Sequence, residues 1–189
     1  RASCQPGDAV VIPTPVYAPF LDAPSNNNAQ LSTVPLKQIE RETGDSPGGE
    51  LYFEIDWEAL EEGLSNPATK LFHFCNPHNP TGRCWTRAEL AKIARMCVKH
   101  DVVVCSDEVW GEMPLEPGKF PFVSMLALLA KLPPGSNEAE SEDSASDDLA
   151  LSGVPGLQRR LIILYSPSKC FNVAPLDIAT AIIPDDSLR

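Results

Sequence analysis

No run of apolar residues in this 189-residue chain approaches the roughly 20 needed to cross a bilayer, so the sequence offers no membrane span. Basic residues are scarce. Lys and Arg number 15 against 26 Asp and Glu, a formal net charge of −11. No stripe of Lys or Arg is present to neutralise phosphates, which argues against a nucleic-acid partner. The six cysteines, Cys4, Cys75, Cys84, Cys97, Cys105 and Cys170, contain no CxxC pair. Several lie inside apolar runs, the pattern of buried, reduced thiols, and a cytoplasmic location is expected. A zinc site could be imagined from His73, Cys75, His78 and Cys84, but their spacing follows no known ligand pattern, so no metal is expected. Neither an internal repeat nor a signal peptide is visible.

The chain begins at Arg1 without a methionine and ends at Arg189 soon after an apolar run. Both ends are expected to be cut, leaving residues 1–189 as one partial domain, with an organellar targeting signal upstream still open. Much of the acidic excess falls in Ser136–Asp148, which holds Glu138, Glu140, Glu142, Asp143, Asp147 and Asp148 and no basic residue. Such a run repels itself and buries nothing, so residues 133–157 are expected to form a disordered acidic insertion.

Elsewhere strands and helices alternate. Ala9–Pro13 is a short apolar run bounded by Gly7 and by prolines, and predicts a buried strand. Gln30–Leu36 and Leu51–Ile55 are weaker strand candidates. Asp56 is a good N-cap for a helix over Trp57–Leu64. Lys70–Cys75 predicts a buried strand that runs into Asn76-Pro77-His78-Asn79-Pro80-Thr81-Gly82, where the prolines forbid helix and ladder alike. Thr86-Arg87-Ala88-Glu89 is a capping box opening a helix to about His100. Val102–Ser106 has the sequence of a central strand, Phe122–Leu132 has helical period, and Leu161–Tyr165 and Ile178–Ile183 predict two further buried strands. The alternation implies an α/β class with a mostly parallel sheet covered by helices on both faces.

In such sheets ligands gather at the carboxyl ends of the strands. Three polar clusters fall there: Asn76–Gly82, Asp107-Glu108, and Ser166-Pro167-Ser168-Lys169. Each alone is an ordinary turn. Together with Thr14-Pro15-Val16-Tyr17, and in this order, they resemble the motifs of the aminotransferase class I/II family of fold type I pyridoxal-phosphate enzymes, over most of the chain. The runs NPHNPTG, SDEVW and SKCFN are most similar to its cystathionine β-lyase branch.

The resemblance implies pyridoxal 5'-phosphate as cofactor, with a Schiff base on Lys169, which then serves as the base at the substrate α-carbon. It implies that Asp107 pairs with the pyridine nitrogen, Asn79 donates to the phenolic oxygen, Tyr17 stacks on the ring, and Ser166 and Ser168 lie on the phosphate side. Read without the resemblance, these residues are a surface lysine, an N-cap aspartate, turn formers and a core aromatic. Relatives carry tyrosine or histidine where this chain has Trp110, whose indole can donate but cannot accept or relay a proton. Asp177 would repel phosphate if it faced the cofactor. The phosphate-cradling glycine turn is expected before Arg1 and the carboxylate-gripping arginine after Arg189. The implied activity is carbon–sulfur β-elimination from cystathionine or a cysteine S-conjugate, in a homodimer. Transamination of amino acids on the same scaffold and a non-catalytic relic are the alternatives.

Overall fold

The computed structural model describes residues 3–41, 50–114, 118, 120–130 and 153–189. Its strands in chain order are β1 (Ala9–Thr14), β2 (Gln30–Pro35), β3 (Lys37–Arg41), β4 (Glu50–Glu54), β5 (Thr69–Cys75), β6 (Val103–Asp107), β7 (Leu161–Tyr165) and β8 (Thr180–Ile182). Three α-helices join them: α1 (Pro19–Ser25), α2 (Trp57–Ser65) and α3 (Arg87–Lys99). Six strands form one sheet in the order β2-β1-β5-β6-β7-β8. All its neighbours are parallel except β7 and β8, which run antiparallel. β3 and β4 pair antiparallel as a separate ribbon.

Alternation along the strands sorts side chains onto two faces. Val11, Phe72, Phe74, Val104, Leu161 and Ile163 point to the side covered by α2 and α3, where the larger core lies. Val10, Ile12 and Cys75 point to the other side and meet Phe20 of α1. Helices therefore cover both faces, unequally. Each fully buried Leu, Ile or Phe in these layers contributes about 1.5–3 kcal/mol.

The helix starts follow their local chemistry. Asp56 caps α2 by accepting the Ala59 N–H at 3.2 Å. The capping box of α3 is complete: Thr86 Oγ1 accepts the Glu89 N–H, and Glu89 Oε2 accepts the Thr86 N–H at 2.8 Å. Leu90, Ile93, Ala94 and Cys97 form the fully buried stripe of α3. Truncating Leu90 to Ala there would cost about 2–5 kcal/mol.

Three expectations are corrected. The helix expected over Phe122–Leu132 is instead one 3-10 turn, Met125–Leu129, after an extended stretch. Carbonyls of this turn and of the residues flanking it accept from distant side chains: Arg87 donates to Ala127 and Ala130, and Asn76 to Val123. The expected last strand shrinks to Thr180–Ile182 and is an exposed edge rather than a buried one. Of the insertion, residues 133–152 lie outside the described residues. Its last stretch, 153–157, is packed, with Val154 and Leu157 buried against the α3 side.

Helix α1 and strand β3 were not anticipated. α1 contains Pro19 and Pro24, and β3 is rich in polar residues, so neither carries a clear periodic signal. Among the described residues no helix is long and apolar enough to cross a membrane.

Candidate functional site

Parallel strands β5, β6 and β7 end together, and the loops that leave them build the site. The link between the ends is direct: Asn76 N–H donates to Asp107 O at 2.9 Å, and Glu108 N–H donates to Leu164 O at 2.8 Å. Asn76 is fully buried. Its Nδ2 donates to Val123 O at 2.8 Å and its Oδ1 accepts from Trp85 N at 3.3 Å, so this residue shapes the loop. His78 is also committed to the scaffold, its ring nitrogens lying 2.8 Å from Pro15 O and 3.3 Å from Cys75 O. Burial pulls the His78 pKa below its ordinary value.

That leaves Asn79 as the asparagine of the loop turned toward open space. A cleft of about 250 Å³ lies beside it, walled by Pro77, Pro80, Cys84, Trp110 and Met113. Tyr17, on the segment after β1, is held next to it through Tyr17 N–H to Asn79 O at 3.0 Å. The Tyr17 ring is 52% exposed and touches Phe20 edge-on at 6.5 Å.

Asp107 closes β6 and is half-buried. Its Oδ1 accepts the Val109 N–H at 3.1 Å. Burial raises its pKa above the ordinary carboxylate value, opposed by that hydrogen bond and by the charge of Lys169. Lys169 stands on the loop after β7, exposed, with its Nζ 5.3 Å from the centroid of the Trp110 ring. Asp107, Trp110 and Lys169 are thus brought together, and Trp110 shares the wall of the cleft that Asn79 lines.

The two serines divide. Ser166 is buried, donates its hydroxyl to Ile178 O at 2.6 Å and accepts from Ser168 N at 3.1 Å. Its hydroxyl proton is directed at the scaffold. Ser168 is only half-buried and stays on the same turn as Lys169. Asp177 is exposed and ends a 3-10 turn in the left-handed region, φ 48°.

The sequence reading missed Glu108. This carboxylate is 3% exposed, and its Oε1 accepts both Ser106 Oγ at 3.0 Å and Met125 N at 2.9 Å. Burial raises its pKa. Ser106 is a local donor, but the donor that fixes the inward turn of Glu108 from outside its own strand end, Met125 N, lies 17 positions along the chain. Cys84 and Met113 as cleft walls were missed for the same reason.

The aminotransferase class I and II family model matches residues 1–188. The cystathionine beta-lyase PatB of Bacillus subtilis is 35% identical over 186 residues, 98% of this chain and 38% of that protein. Protein MalY of Escherichia coli is 36% identical over 119 residues, 60% of this chain and 28% of its own length. Among solved structures, cystalysin of Treponema denticola, which contains a pyridoxal 5'-phosphate cofactor, superposes with a TM-score of 0.73 at 28% identity. That match covers 100% of this chain and 38% of cystalysin. The chain therefore spans well under half the length of the relatives it matches. A match along nearly its whole length, on the same strand-end loops that build the site, places this chain in the aminotransferase class I and II family.

Proposed function

We propose that this chain carries the central part of the active site of a pyridoxal-phosphate-dependent carbon–sulfur β-lyase acting on cystathionine or another cysteine S-conjugate. The observation that carries the reading is that Asn79, Asp107 and Lys169 follow or close three adjacent parallel strands, Asn79 lining a cleft whose wall includes the Trp110 that Lys169 approaches. Likeness to PatB and to cystalysin supports it.

The residues fit the cofactor. A desolvated carboxylate near a cationic amine suits a protonated ring nitrogen, and an exposed primary amine suits an aldehyde. When bound, pyridoxal phosphate supplies that aldehyde and a ring that draws electrons from the bonds at the substrate α-carbon. Lys169 would hold the aldehyde carbon through Nζ until a substrate amine takes its place. Nζ then takes the proton from the substrate α-carbon. Asp107 would keep the proton on the ring nitrogen, and Asn79 would donate to the phenolic oxygen. Tyr17 would lie on the ring face, with Ser168 on the phosphate side and Ser166 fixing the Lys169 turn. The sulfur leaves the β-carbon with its bonding electrons. In net terms a cysteine S-conjugate and one water give a thiol, pyruvate and ammonia.

Transamination is the second reading, favoured by the family to which the chain belongs. It uses the same residues and differs in where the proton is returned. A homodimer in the cytoplasm completes the proposal.

Two measurements test it. Borohydride reduction with pyridoxal phosphate, followed by peptide mass spectrometry, is expected to give a phosphopyridoxyl adduct confined to Lys169; a folded protein without that adduct overturns the cofactor reading. Incubation with cystathionine is expected to release pyruvate with no keto acid added. Strict dependence on an added keto acid overturns the lyase in favour of transamination.

A further inference from the structure

We propose that Trp110 is a positioning residue for Lys169, its indole face holding the lysine amine beside Asp107 at the edge of the cleft. The inference rests on the reading of Lys169 as the reactive amine. Its observation is geometric: Nζ stands 5.3 Å from the Trp110 centroid, within the range at which a cation is attracted to an indole face. Lys169 is otherwise exposed, and a lysine stem with four rotatable bonds spreads its amine through solvent unless something retains it.

Both partners are set by turns that are themselves fixed. Trp110 lies in a turn closed by Gly111 N–H to Glu108 O at 3.0 Å and Met113 N–H to Trp110 O at 3.0 Å. Glu108 anchors that turn through its buried carboxylate to Ser106 and to Met125. Gly111 lets the chain pass Phe122, since a Cβ there would come within 2.7 Å of its ring. On the other side, Phe171 N–H to Pro167 O at 3.1 Å and Val173 N–H to Ser168 O at 3.1 Å close the turn that carries Lys169. The indole face and the amine are therefore brought together by two separate, hydrogen-bonded turns.

The chemistry of the seat follows from the indole. Trp110 has no acceptor and no relayable proton, so it acts through its ring face alone. A face attracts the ammonium without forming a directed bond to it. It can thus retain the ammonium form of Lys169 near the cleft when the residue is free of cofactor, while the neutral amine, which the face does not attract in this way, is free to turn to the substrate α-carbon. The same ring also walls the cleft, so the amine is retained next to the space a substrate enters.

The test compares Trp110→Phe, which keeps a ring face, with Trp110→Leu, which keeps apolar bulk and loses it. In cofactor-free protein, lysines are reductively methylated with labelled formaldehyde, and the Lys169 methyl signals are followed by NMR. They are expected upfield of the solvated lysines because of the indole ring current, to move part of the way in Trp110→Phe, and to reach the solvated position in Trp110→Leu. In the loaded protein, kcat is expected to fall about three- to tenfold in Trp110→Leu and by less in Trp110→Phe, while KM is expected to rise in both because Trp110 also walls the cleft. Equal behaviour of the two variants in both measurements, or Lys169 methyl signals at the solvated position in the unsubstituted protein, overturns the seat. Failure of the borohydride adduct on Lys169 is a separate result. It sinks the cofactor reading, and the NMR comparison still decides whether the amine sits on the ring.

Discussion

The Glu108 carboxylate accepts the main-chain N–H of Met125 at 2.9 Å, 17 positions further along the chain. The same oxygen accepts the Ser106 hydroxyl, so one buried acid ties the end of β6 to the 3-10 turn that follows the cleft. An uncharged acceptor at that oxygen serves as well as a charged one. Glu108→Gln is therefore expected to fold normally, whereas Glu108→Ala leaves buried donors unmet and loses about 1–3 kcal/mol. Burial raises the folded-state value of Glu108 above its ordinary 4.5. Its contribution to stability is then full below about pH 4.5 and is lost as pH rises through the folded value. Thermal melts of Glu108→Gln across that window should show a shallower fall with rising pH than the unsubstituted protein. An unchanged slope would exclude Glu108 as the source.

His73 gives the opposite sign. Its ring stacks on Phe20 with centroids 3.9 Å apart, its Nε2 is buried without a hydrogen-bond partner, and burial pushes its pKa down to about 4. The neutral ring supports the fold fully above its ordinary 6.5, and that support is lost as pH falls toward 4. His73→Phe keeps the stack and removes the titration. A cavity of about 160 Å³ that His73 lines with Val10, Pro24 and Leu71 leaves room for the larger ring. The variant is expected to lose less stability between pH 6.5 and 4, and some loss should remain because burial also lowers the pKa of His78. Denaturant titrations at both ends of that window check it.

The loop after β5 separates two asparagines that look alike in sequence. Asn76 satisfies Val123 O and Trp85 N from a fully buried position, while Asn79 faces the cleft. Asn76→Ala is expected to destabilise the fold by about 1–3 kcal/mol. Asn79→Ala should leave stability within about 0.5 kcal/mol and weaken pyridoxal-phosphate binding about tenfold. Equal loss of stability in both variants would contradict this division of labour.

That contrast also shows what could be read from the chain. Val11, Ile12, Val104 and Leu161 lie in dense apolar runs, so the buried central strands were legible. Thr86 and Glu89 satisfy each other locally, so the start of α3 was legible too. That polar clusters containing Asp107 and Lys169 follow β6 and β7 was legible from where the apolar runs stop; the roles expected of the two residues came from the family resemblance. What stayed hidden depends on partners far along the chain. The extended stretch at Phe122 is set by Asn76, Glu108 and Arg87, and the inward turn of Glu108 by Met125. β3 has no apolar alternation and exists as a strand only through its pairing with β4.

Ser166 belongs to that hidden group and supplies the last prediction. The family resemblance implies a hydroxyl on the phosphate side, while in this structure Ile178 O accepts that hydroxyl's proton at 2.6 Å. The same oxygen accepts from Ser168 N, so Ser166 braces the turn that presents Lys169. Ser166→Ala removes both bonds and leaves the Ile178 carbonyl and the Ser168 amide to solvent, at about 0.5–1.5 kcal/mol. The loss should be concentrated in this turn, seen as faster amide exchange at Ser168 and Val173 than in β6. Phosphate affinity should change little, because the hydroxyl proton is not available to it. A large drop in cofactor affinity with unchanged exchange at Ser168 would restore Ser166 to the phosphate side and refute its bracing role.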